Sequence, residues 1–66
     1  MQPFILRLQS EFKDLTSRII KLESFIYANS NFKGLEEEER DLLKTQLMHM
    51  HSYHEILALR LKKLNQ

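Results

Sequence analysis

Apolar residues recur along the first part of the chain at Ile5, Leu8, Phe12, Leu15, Ile19, Leu22 and Ile26, at spacings that alternate between three and four. That repeat keeps one stripe on one side of a helix and predicts an unbroken heptad seam. Further on, Leu43, Leu47, Met50, His54, Leu57, Leu61 and Leu64 repeat the pattern, with one histidine in the row. No strand-period alternation competes with it. Between the two rows, Ala28-Asn29-Ser30-Asn31-Phe32-Lys33-Gly34 is the one turn-like stretch.

The pattern predicts a single all-α domain over residues 1–66. Helix 1 runs from about 3 to 28, the connection from about 29 to 35, and helix 2 from about 36 to 64. Both helices are then roughly 40 Å long. Pro3 suits a first helical turn, where a missing N–H is tolerated. Glu36 to Glu39 lie at the positive end of the second helix dipole, and Arg60, Lys62 and Lys63 at its negative end. So short a connection makes the helices antiparallel neighbours, a helical hairpin. Phe32 and Leu35 are expected to pin the connection onto it.

Each helix carries more apolar surface than one seam uses. Helix 1 adds Phe4, Leu6, Ile20, Phe25 and Tyr27; helix 2 adds Leu42, Met48, Tyr53, Ile56 and Leu59. One partner helix covers one stripe, so the surplus calls for another chain. Size points the same way. A domain of 66 residues is marginal alone, and with no cysteine it lacks the disulfide route to stability. The expectation is a homo-oligomeric bundle with closed symmetry.

Charge narrows the functional classes. Ten Lys and Arg against nine Asp and Glu give a net charge of +1. That is no broad basic field, so DNA and RNA are not expected partners. No apolar run approaches the roughly 20 residues that span a bilayer, and the opening residues are too briefly apolar for a signal peptide. No membrane partner is expected, and a cytosolic protein is the default.

Three histidines invite a metal reading. His51 and His54 share a helix face, but His49 lies about 200° around from His51. Without a fuller ligand set the better assignment is surface or interface histidines, with His54 in the seam. No nucleophile–base spacing, phosphate-cradling glycine loop or paired acids suggest catalysis. Ser10, Thr16, Ser17 and Ser24 read as polar-face residues. No enzyme activity, cofactor or metal is expected.

The basic residues of helix 1 are more informative. Arg7, Arg18 and Lys21 project from one face, which Glu11 and Asp14 share. One reading is a salt-bridged solvent face, each pair worth well under about 1 kcal/mol. The other is an anion site formed where two such faces meet between subunits, since guanidinium groups suit phosphates and stack on bases. Phe4 and Tyr27 stand near opposite ends of the helix as candidate base platforms.

Several motifs carry a resemblance. Helix 1 reads Pro3-x3-Arg7, Leu15-x2-Arg18 and Lys21-Leu22-x2-Phe25-Ile26, and the connection reads Phe32-x2-Leu35. Helix 2 reads Glu39-x3-Leu43-x2-Gln46-Leu47-x2-Met50-x2-Tyr53-x3-Leu57-x2-Arg60. Over nearly its whole length the chain resembles the anti-CBASS phage sponges for cyclic oligonucleotide second messengers, with related small proteins of crAss-like and other phages. The resemblance implies a compact homohexamer of hairpins in the cytoplasm of an infected bacterial host. It implies immune evasion by sequestering cyclic dinucleotides between subunits, with cyclic trinucleotides at a second kind of site, and without cleavage.

Members of that family often carry an aromatic or histidine near the start of helix 1 and a Lys about four turns later. Phe4 matches the ring, and Arg18 takes the place of the Lys, with Lys21 one turn beyond. The resemblance casts Phe4 as a base platform and Arg18 and Lys21 as phosphate contacts, with Arg7 as a neighbour. Arg60, with Tyr53, is the candidate for the second site. The competing assignment is a structural or adaptor module that binds another protein through its surplus apolar face.

Overall fold

A computed structural model describes residues 3–64. Helix α1 spans Pro3–Ala28, a 3₁₀ segment spans Ser30–Gly34, and helix α2 spans Glu37–Leu64. The two long helices pack against each other and fold the chain into a rod of 48 × 15 × 15 Å.

The heptad rows form the core. Leu8, Leu15, Ile19 and Ile26 of α1 are buried against Leu47 and Leu57 of α2, and Phe12, Leu22, Leu43, Met50 and Leu61 pack around them. Burying each such side chain contributes about 1.5–3 kcal/mol. Leu64, the last residue of the second row, departs from the expected seam and is exposed, beside Phe4 at the end of the rod.

The connection is built by side chains. Asn29 leaves helical geometry at φ −110° and ψ 124°, and its carboxamide oxygen accepts the Asn31 N–H at 2.8 Å. That local bond offers the backbone an alternative to the helix and ends α1. Phe32 is buried, edge-on to Phe25 with ring centroids 5.9 Å apart. Phe25, counted above as surplus, is therefore half-buried and belongs to the hairpin. Leu35 also packs on the core. Arg40 sits in the heptad row one position before Leu43. Its guanidinium donates to the carbonyls of Lys33 and Leu35 at 3.1 and 2.9 Å. It thereby satisfies carbonyls that no helix uses. Gly34 does not adopt a positive φ, so the turn makes no use of a glycine's conformational freedom.

The surplus face is as expected for the remaining residues. Phe4, Leu6, Ile20, Tyr27, Leu42, Met48, Tyr53, Ile56 and Leu59 are all exposed, Tyr27 most of all at 74%. No helix among the described residues is long and apolar enough to cross a membrane.

Candidate functional site: a cationic groove between the helices

A polar layer sets how the helices face each other. The Thr16 hydroxyl donates to the Phe12 carbonyl at 2.9 Å and lies 2.7 Å from Nε2 of His54. The His54 ring stacks on Phe12 with centroids 4.3 Å apart. Thr16 is thus an interhelical residue and not the plain polar-face residue expected above; its Cβ sits beside the seam and the histidine reaches it. Nearer the connection, His51 Nε2 lies 3.1 Å from a Glu23 carboxylate oxygen. Two of the three histidines therefore tie α2 to α1. Among the described residues no cluster of three or more His, Asp or Glu is placed to hold a metal ion.

These two ties define an antiparallel register, 16 beside 54 and 23 beside 51. Along the other side of the seam lies an open groove of about 590 Å³. Its α1 wall carries Arg18 and Lys21, with Leu15, Leu22 and Phe25 toward the floor. Its α2 wall carries Gln46, Met50 and Tyr53, which share one face at intervals of four and three. The register puts Tyr53 level with Arg18, and Gln46 level with Phe25.

The cations of this wall have no acidic partner. Arg7 and Glu11, and Asp14 and Arg18, stand at the spacing that often pairs on a helix. Yet His51–Glu23 is the one ion pair within 4.0 Å among the described residues. A salt-bridged face, the first of the two readings above, is not what forms. Unpaired cations beside an apolar floor and a phenol make a surface suited to an anion that carries a flat, partly apolar body.

The six candidate site residues are divided. Arg18, Lys21 and Tyr53 meet in the groove. Phe4 and Arg60 meet at the far end of the rod, with Lys63 and Leu64, in a smaller concavity of about 210 Å³. Arg7 is exposed on α1 between the two and lines neither. Within one chain Tyr53 thus sits with Arg18, and Arg60 with Phe4. Gln46, Met50 and Phe25 were not singled out as site residues. The pattern of 46, 50 and 53 was visible in the sequence, but only the register between the helices turns it into the wall facing Arg18.

A family model matches residues 2–63. No curated protein and no solved structure matches the chain. A groove with unpaired cations beside an apolar floor accords with the capture of a small ligand. The chain belongs to the Sequestin family, phage proteins that sequester a bacterial signalling molecule.

Proposed function

We propose that this chain is a non-catalytic sponge for cyclic oligonucleotide second messengers, cyclic dinucleotides first among them. The observation that carries this reading is the sharing of one apolar groove by Arg18, Lys21 and Tyr53, with no acid among the described residues paired to either cation. Phosphates suit the cations, and bases suit the rings and apolar floor.

The full site needs a second copy. Phe4 and Arg18 are 14 residues apart on one helix, about 21 Å along its axis. One small ligand does not reach both within a chain. Two α1 helices packed antiparallel about a twofold axis near residues 11–14 place Phe4 and Arg7 of one copy beside Arg18 and Lys21 of the other. Such an interface offers every contact twice. Charge supports the match. This face carries three cations, Arg7, Arg18 and Lys21, against two acids, Glu11 and Asp14, a net of +1 per chain and +2 per pair. Each of the two sites in the pair gathers three of these cations, Arg7 of one copy with Arg18 and Lys21 of the other. The exposed apolar residues supply further surface for a larger closed assembly, for which the hexamer is our proposal.

The test is capture and release. Purified chain is mixed with cyclic di- and trinucleotides and filtered, and the ligand freed by heating is chromatographed. Depletion of the filtrate with intact release supports the sponge. No depletion across the panel overturns it and favours the protein-binding module. Shared sites have their own signature. Phe4→Ala and Arg18→Ala chains each fail to bind, but refolded together at equal amounts they regain roughly a quarter of the wild-type capacity, because a mixed pair has one intact site. No regain means that the two residues do not share a site.

A further inference from the structure

We propose that the two walls of the groove have different tasks, and that Gln46 on α2 reads the edge of the ligand's base and favours adenine over guanine. The inference rests on the nucleotide reading above and concerns what that site prefers.

The register supplies the geometry. Arg18 and Tyr53 occupy one end of the groove and Phe25 and Gln46 the other, with Lys21 and Met50 between them. Residues 18 and 25, like 46 and 53, are seven apart, about 10 Å along each helix. A nucleotide lying lengthwise then puts its phosphate against the cations and its base against Phe25. Phe25 is half-buried and held edge-on by Phe32, so its ring is a fixed platform. The Met50 thioether, between Gln46 and Tyr53, adds a polarisable apolar surface between the two ends.

Gln46 is the one carboxamide in the groove, and it is uncommitted. Its single side-chain contact among the described residues is from Nε2 to the Met50 sulfur at 4.0 Å, a weak bond easily exchanged. A carboxamide offers a donor and an acceptor side by side. Adenine presents the complementary pair at N6 and N7, whereas guanine presents two acceptors at O6 and N7, which match a cation instead. With the Arg18 guanidinium at the phosphate end and the carboxamide of Gln46 at the other, the base end favours adenine. Gln46 is exposed on its helix, so its replacement leaves the hairpin core untouched.

Calorimetric titration of the full chain with cyclic di-AMP and cyclic di-GMP tests this. Wild type is expected to bind the adenine ligand about tenfold more tightly, the discrimination one bidentate contact supplies. Gln46→Leu is expected to bring the ratio close to one by weakening the adenine ligand alone. Arg18→Lys, which keeps the charge, is expected to weaken both ligands alike, about tenfold, and preserve the ratio. If Gln46→Leu leaves the ratio unchanged, or wild type prefers guanine, the base-reading assignment falls while the sponge reading stands. If wild type binds neither these two nor any cyclic nucleotide of the capture panel, both fall.

Discussion

Nε2 of His54 and the hydroxyl of Thr16 meet at 2.7 Å across the helix seam, and the direction of that bond is determined by a third atom. Thr16 has one hydroxyl proton, and it goes to the Phe12 carbonyl. We therefore expect His54 Nε2 to carry the hydrogen and donate it. Thr16→Val keeps the side-chain shape but removes the acceptor, leaving a part-buried N–H unsatisfied. The expected loss is about 1–2 kcal/mol, read from urea denaturation. Adding His54→Leu removes the stranded donor, so the double variant should recover much of that loss. Nitrogen chemical shifts of the imidazole give the tautomer directly.

Leu57 has no exposed surface, although its neighbours Ile56 and Leu59 are more than half exposed. Leu57→Ala should cost about 2–5 kcal/mol. That approaches the whole stability of a domain this small, and helical circular dichroism should lose its cooperative melt.

Ile56→Ser addresses the opposite side of α2. If other copies cover that face, the wild-type Tm rises with chain concentration. The substitution should flatten this dependence while leaving the dilute hairpin within about 0.5 kcal/mol of wild type. Melts over a wide concentration range give both quantities.

The connection should tolerate Gly34→Ala and resist Arg40→Leu. A Cβ built on Gly34 has no neighbour within 4 Å, and its φ is not positive. The alanine should be neutral or stabilise by about 0.4–1 kcal/mol through the unfolded chain. Arg40→Leu removes two hydrogen bonds to backbone carbonyls and should cost about 1–3 kcal/mol. Both follow from denaturation midpoints.

At the groove, Arg18→Lys separates charge from shape. The ammonium keeps the charge but loses the planar fork that grips a phosphate with two bonds. We expect affinity for a cyclic dinucleotide to fall about tenfold with Lys and to vanish with Ala. Titration calorimetry measures it.

The hairpin was legible because its cause is local: two heptad rows, a polar break, and acids and bases at the proper ends of α2. The buried residues of the two long helices followed from periodicity alone. Thr16, Phe25 and Arg40 were harder, because their roles depend on what stands across from them. Periodicity assigns a face but not a register, and the His54–Thr16 and His51–Glu23 contacts supply it. For the same reason Arg18 and Lys21 were visible as candidates, while the wall that faces them was not. Phe4 and Arg60 were each visible, but their meeting at one end of the rod depends on helix length and antiparallel direction together.

A rod two helices thick has no inside. At 15 Å across, every groove on it is an open shelf, and a ligand lying there keeps one side in water. A molecule bound this way can leave as readily as it came. Complete enclosure needs walls from more than one chain. The enclosing site would then depend on abundance through the act of assembly as well as through the number of sites. Below the concentration at which chains associate, the protein would be a poor trap; above it, a closed one. The slenderness of the fold would thus set a threshold for its action.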